Sequence, residues 1–389
     1  MPFKTLKNFI KLESSAGIIL FTTALLAIVI DNSFLSIYYE KFLEFPLAIK
    51  VGPYELSKHM IHWINDGLMT IFFFMVGLEI KKEIVQGELN SPSKIFLPAF
   101  AALGGMIVPA LVFTLFNMNN EFSLRGWAIP TATDIAFSLG ILSLLGSRVP
   151  LSLKIFLTAL AIFDDMGAII VIALFYNSDI SLFALFISLL FLGILFVMNR
   201  MNVKVLSLYL TIGLFLWLSV LNSGVHATLS GVMLALLIPI DAVKGLDKKL
   251  HPWVGYFVLP LFAFANAGVS FDDLPNGVAN LFSPVFLGIS LGLLLGKLVG
   301  VFATTFMAVK FGFVKMPTNA KWSQVFGIAL VCGVGFTMSF FVGTLAYPTG
   351  SSELPYDAWV RLGVIFGSLA SGSLGYLVLR LTTKETSNT

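Results

Sequence analysis

Long apolar runs separated by short polar connections organise this chain. Runs of roughly 15 to 25 apolar residues can cross a bilayer as helices, and about twelve can be marked: 16–30, 61–80, 95–116, 127–145, 151–175, 180–198, 205–220, 225–240, 253–269, 283–309, 325–346 and 359–379. The pattern predicts an all-α polytopic membrane protein forming a single transmembrane domain over 1–389. One connection departs from helical spacing. Between Asp31 and Met60, the apolar positions Leu47, Ile49 and Val51 alternate up to Gly52-Pro53, and Tyr54 and Leu56 follow. This reads as a short extracytoplasmic β-hairpin, with an irregular loop as the other reading. A hairpin there would offer an edge for pairing with a second copy.

Two runs are interrupted. The fourth, WAIPTATDIAFSLGIL, sets Pro130 and two threonines just ahead of Asp134, so backbone hydrogen bonding must be re-satisfied at membrane depth. The eleventh, GIALVCGVGFTMSFFVG, has Gly333-Val334-Gly335 near its centre, although glycine also serves membrane helices as a close-packing device. If 95–175 and 283–379 are two copies of one repeat unit, the two breaks take corresponding middle positions. Interrupted segments in matching positions of two halves point to a transporter's binding site.

Composition supports the membrane reading. The chain is 57% hydrophobic and 12% charged, outside the range of soluble globular domains. Its net charge of +3 is spread over short connections, which gives no sign of a nucleic-acid partner. The lone Cys332 excludes an internal disulfide and argues against a Cys-based metal site. Lys4, Lys7 and Lys11 ahead of run 16–30 resemble a signal peptide, but Asp31-Asn32 follows in place of a small-x-small cleavage site, so the run is read as a retained span. With the N-terminus inside, only Lys41, Lys50, Lys58, Arg125 and Arg361 fall on the outer side and Lys297 lies within a span, which leaves 18 of the 24 basic residues cytoplasmic. That asymmetry is what the positive-inside rule expects, with both termini cytoplasmic and the bilayer as partner.

The candidate chemistry lies inside the spans. ALAIFDDMGA places Asp164 and Asp165 near the middle of an apolar run, where each ionised carboxylate costs roughly 2.5 to 3.5 kcal/mol on insertion scales. As neighbours on a helix they project about 100° apart and should meet different groups. Lys297, in LGLLLGKLVGVF, is the buried cation of the set and needs an acidic partner or loses its proton. An ion pair that only fixes helix packing would account for Lys297 and one aspartate. It does not account for Asp134, Asp164 and Asp165 together. Clustered carboxylates take up and release protons more readily near neutral pH, and oxygen ligands suit a hard cation such as Na⁺, with Thr133 and freed carbonyls as neutral donors. A site that holds protons or a cation, but not both, is suited to exchange. His226, in NSGVHATLSG, is either a helix-end histidine bonded to backbone or part of a pH response. Asp66, in HWINDGLM, either lines a funnel or is a satisfied interior polar residue. Glu79, Lys82 and Glu83 in VGLEIKKE, with Asp247, Lys248 and His251, form either a charged collar or ordinary interfacial charges.

At these residues the chain closely resembles the NhaA-type Na⁺/H⁺ antiporter family of bacterial inner membranes. The resemblance rests on WINDGLM, FFMVGLEIKKE, ALGGMIVPAL, GWAIPTATDIAFSLG, LLGSRVP, LKIFLTALAIFDDMGAIIVIALFY, SGVHATLSGV, LHPWV, LPLFAFANAGVS and CGVGFTMS, and it runs from about residue 14 to 378. It implies inverted-topology repeats and export of sodium or lithium driven by inward proton movement, electrogenic because more protons enter than sodium ions leave. It also implies no cofactor and no enzymatic activity. Carried over by motif, Asp165 is the direct Na⁺ ligand beside Asp164, Asp164 is the partner of Lys297, and Asp134 with Thr133 marks the broken helix. Glu79, Glu83 and His251 match the pH-sensing collar, and the 47–56 hairpin matches a homodimer contact. The chain departs from better-known members in having Lys82 for Arg and Asp247-Lys248 for Glu-His, changes that bear on the activating pH. Two other classes fit less well. An intramembrane aspartyl protease could use Asp134 and Asp164, but its Gly-x-Gly-Asp motif is absent; a passive cation channel would favour acidic rings along an open pore.

Overall fold

The computed structural model describes residues 15–51, 54–86, 92–177, 179–271, 282–348 and 354–383. It is predominantly helical with one two-stranded antiparallel sheet. In chain order the main elements are α1 (Ser15–Asp31), α2 (Ser36–Leu43), β1 (Pro46–Val51), β2 (Tyr54–His59), α3 (Met69–Gln86), α4 (Pro92–Asn117), α5 (Ile135–Leu144), α6 (Leu151–Phe175), α7 (Leu182–Arg200), α8 (Leu206–Leu221), α9 (Thr228–Leu237), α10 (Leu246–Trp253), α11 (Leu259–Ala267), α12 (Pro284–Leu291), α13 (Lys297–Lys310), α14 (Trp322–Val331), α15 (Phe336–Ala346) and α16 (Tyr356–Thr382). Among the described residues, five helical stretches are long and apolar enough to cross a membrane unbroken: 95–117, 151–175, 182–200, 284–310 and 356–382. Helix α2 precedes the hairpin; it is too short to register as an apolar run.

The chain forms two compact units. One comprises Met1–Ile28, Ser91–Ala168 and Asn266–Thr389; the other comprises Val29–Asn90 and Ile169–Ala265. In the first, α4 and α13 cross at Gly104 and Gly300, where a methyl on either would run into the other's carbonyl oxygen. Only glycine allows this approach, and it brings Lys297 alongside Gly105. Helix α12 opens with Ser283, whose hydroxyl accepts from Phe286 N at 3.2 Å, followed by Pro284 at the first helical position.

The same unit holds both interrupted segments. A 3₁₀ turn over Arg125–Thr131, containing Pro130, gives way to extended backbone and then to α5; α14 gives way at Cys332 to α15. Each pair of half-helices is bent by 43°. Proline removes a donor in the first case, and the second breaks at Gly333-Val334-Gly335.

In the second unit, a core of Phe74, Leu78, Leu195, Tyr209, Leu216 and Leu234 sits among α3, α7, α8 and α9. The hairpin runs in register from Pro46 opposite His59 to Val51 opposite Tyr54, while the Gly52-Pro53 turn lies outside the described residues. Trp63 Nε1 donates to Leu47 O at 3.0 Å, and Lys58 Nζ approaches Asp66 Oδ2 at 3.0 Å. These bonds tie the strands to the π-helical turn Trp63–Leu68 that leads into α3.

Candidate functional site

The geometry of the site follows from the two helix breaks. Where each helix is interrupted, amides and carbonyls lose their intrahelical partners and must be satisfied in an apolar medium. The breaks satisfy one another. Asp134 N donates to Val334 O at 2.7 Å, Ser339 Oγ to Ile129 O at 2.7 Å, and Ser138 Oγ to Val331 O at 3.3 Å. Helix α16 contributes Ser371, which donates to Leu330 O at 2.7 Å, and Ser368, which accepts from Phe336 N at 3.2 Å.

Asp134 caps both half-helices. Its Oδ1 accepts from Phe137 N at 2.9 Å, the N-cap bond of α5, and its Oδ2 accepts from Thr337 N at 3.1 Å and Thr337 Oγ1 at 2.5 Å at the start of α15. One buried carboxylate therefore faces two positive helix ends. Thr337 was missed in the sequence. The available signal was its place one residue inside the apolar run that restarts after Gly335.

One residue before Asp134, Thr133 reaches α6. Its hydroxyl lies 2.6 Å from Asp164 Oδ2 and 2.8 Å from Cys332 O. Lys297 Nζ donates to the same Asp164 oxygen at 2.5 Å, with both side chains wholly buried. The other oxygen, Asp164 Oδ1, is buried and accepts no hydrogen bond among the described residues. Asp165 follows on the same helix and is 1% exposed. The structure thus joins Thr133, Asp164 and Lys297 by direct contacts, sets Asp134 next to Thr133 at the meeting of the two broken helices, and keeps Asp165 beside Asp164 on α6 in the same unit. No group of three or more His, Cys, Asp or Glu that could hold a metal occurs among the described residues, so a cation here would rely on two carboxylates and neutral oxygens.

The collar residues belong to the second unit. His251 Nδ1 lies 3.5 Å from Glu79 Oε1, with side chains 72% and 28% exposed, an attraction present only when the imidazole is protonated. Lys82 is exposed and Glu83 partly so; the Asp247 side chain lies outside the described residues. Neighbouring Lys81, which the sequence did not single out, donates to the carbonyls of Leu236 at 2.7 Å and Ile238, closing the C-terminal end of α9. Nearby Lys244 sits 2.7 Å from Asp241 and holds that exposed carboxyl below the usual carboxylate range. The pairing is therefore present near neutral pH and fades as pH falls through the carboxyl's folded-state value. His226, at the start of α9, is partly buried, with Asp66 and Lys58 as the charges acting on it.

Residues 7–379 match the family model described as Na⁺/H⁺ antiporter 1. The chain is 49% identical to the Na⁺/H⁺ antiporter NhaA of Sulfurovum sp. (strain NBC37-1), over 97% of each chain. It is 51% identical to the Na⁺/H⁺ antiporter NhaA of Rhodospirillum rubrum, over 99% of each, and 50% identical to that of Psychrobacter arcticus, over 100% of this chain and 98% of the relative.

Proposed function

The chain belongs to the Na⁺/H⁺ antiporter 1 family, a family of transporters and not of enzymes, and from that premise we propose that it exports Na⁺ or Li⁺ in exchange for protons at Asp164 and Asp165. The observation that carries this reading is Asp164, one oxygen held by Lys297 and Thr133 and the other a buried acceptor with no hydrogen bond among the described residues. A buried acceptor of that kind takes a proton, an ordered water or a cation, and two of these three are the ions exchanged in this reading.

The cycle follows from competition for the same oxygens. With both carboxylates deprotonated, Asp165 binds the cation directly, while Asp164 adds its second oxygen and Thr133 a neutral one. Protonation removes the negative charge and releases the ion. Lys297 keeps Asp164 tolerable while it is ionised and buried. Asp134, bonded at both oxygens to helix ends, acts as a fixed charge that holds the crossing together. If each turnover loads both carboxylates with protons and releases one Na⁺, one net positive charge enters per cycle and exchange is electrogenic.

The full reading comprises twelve spans with both termini cytoplasmic in a bacterial inner membrane, and inverted repeats over about 95–175 and 283–379. Supporting it are the charge asymmetry of the connections and two half-helix pairs with equal 43° bends. The collar of Glu79, Lys82, Glu83, Asp247 and His251, with His226, sets the pH at which exchange starts, and the 47–56 hairpin pairs two copies. The exposed Leu47 and Ile49 support that pairing.

The test is exchange in proteoliposomes with both ions followed. Asp164→Asn and Asp165→Asn should each lower coupled Na⁺/H⁺ flux by at least about a hundredfold, the loss of one charged ligand or about 3 kcal/mol. Exchange at wild-type rate in either variant would remove that residue from the site. Sodium movement without counter-moving protons in the wild type would identify a channel.

A further inference from the structure

At the end of α5, a pocket of about 370 Å³ is lined by Gly146, Ser147, Arg148, Tyr376 and Arg380 together with Leu144 and Leu145. Two arginines, a serine and a tyrosine line one volume, and no carboxylate residue lines it among the described residues. Gly146 makes the turn at φ +59°, in the left-handed region that glycine enters freely. This turn sets Ser147 and Arg148 beside the last turn of α16.

The pocket does not stand alone. An apolar groove of about 390 Å³ runs from it between α5 and α16, sharing Leu144 and Tyr376 and continuing past Ile141, Leu369 and Gly372. A further trough along α16 shares Leu369 and Ser373. Leu144 and Leu377 on the groove are 57% and 50% exposed, as side chains facing acyl chains would be. A basic, hydroxyl-rich head joined to an apolar channel is complementary to one kind of molecule.

We propose that Arg148, Arg380, Ser147 and Tyr376 bind the phosphate headgroup of an anionic phospholipid whose acyl chain lies in the groove between α5 and α16. Arginine suits phosphate because its planar fork presents paired donors, and under the topology proposed above, on which this step rests, the pocket lies on the cytoplasmic side, where basic pockets between helices meet an anionic leaflet. A free anion would leave the apolar groove without a ligand, and a zwitterionic lipid would bring a positive group towards two arginines. The site involves none of the exchange residues, so its test does not depend on transport.

The experiment is native mass spectrometry of the purified full chain with phosphatidylglycerol and phosphatidylcholine of matched acyl chains. The wild type should retain phosphatidylglycerol in preference by about thirtyfold, the effect of two basic residues beside an anionic headgroup. Arg148→Gln with Arg380→Gln should bring the ratio to about one, and Arg148→Lys with Arg380→Lys, which keeps the charge and loses the paired donors, should give a ratio between the two. Equal retention of the two lipids by the wild type, or an unchanged preference in the double glutamine variant, overturns the proposal. Displacement of the lipid by inorganic phosphate at matched concentration would overturn it too, since that marks a site for a free anion.

Discussion

Two ion pairs in this protein differ in almost everything except the signs of their charges. Lys297 and Asp164 meet at 2.5 Å with both side chains wholly buried. His251 and Glu79 approach only to 3.5 Å, with the imidazole 72% exposed. In the first, water cannot answer a change in charge, so protonation of either partner or arrival of a cation is felt in full by the other. In the second, solvent and salt screen the interaction and leave a modest bias. The buried pair therefore suits a step that must couple two ions, and the exposed pair suits adjusting the conditions under which that step runs.

The largest break in this comparison is Lys297→Met. It leaves Asp164 buried beside Thr133 without its cation, and losing one partner of a buried pair costs about 3 to 5 kcal/mol. Thermal unfolding in detergent should register that loss, and Asp164→Leu added to Lys297→Met should recover most of it. If the double variant is no more stable than the single one, the two residues do not act as a pair.

An intermediate effect is expected at Asp134, which differs from Asp164 in being answered by helix ends and not by a side-chain cation. Asp134→Ala removes the caps of α5 and α15 at once and should cost about 1 to 4 kcal/mol, twice the range for a single helix cap. Asp134→Asn keeps an acceptor oxygen and should retain part of it. A stability change below about 0.5 kcal/mol for the alanine variant, within the range of an ordinary surface substitution, would show that the crossing does not rely on this carboxylate.

The smallest effect belongs to the exposed pair. His251→Gln should change stability by less than about 1 kcal/mol. The pair is attractive only with a protonated imidazole, so its contribution grows as pH falls and vanishes as pH rises. The variant should therefore shift the pH profile of exchange while its maximal rate stays near wild type, as read by proton flux across a pH series. Loss of exchange at every pH would place His251 in the transport step itself.

Much of the helical layout was legible in the sequence. The run 151–175 coincides with α6, and 95–116 and 283–309 match their helices within a few residues, because a bilayer-length apolar run has few other conformations open to it. Pro130 and Gly333-Val334-Gly335 marked both breaks, because proline removes a donor and paired glycines weaken a helix locally. Helix α2 was not legible, being too short to stand out from the connection around it. Nor was the double cap made by Asp134, since Thr337 lies 203 residues away and nothing local to either residue announces the other. The role of Lys81 was not legible either, since only the packing of α3 against α9 brings it to the last carbonyls of that helix.

By itself, then, the sequence determined where apolar helices form, where two of them break, and which costly charges lie inside. Hydrophobic length, proline and glycine act locally, and an intramembrane charge stands out wherever it occurs. The tertiary structure decided which charge answers which. Lys297 meets Asp164, 133 residues away, while Asp134 meets two helix ends. That choice depends on how closely α4 and α13 approach at Gly104 and Gly300 and on the angle at which the broken helices cross, and both are set by packing between segments far apart in the chain.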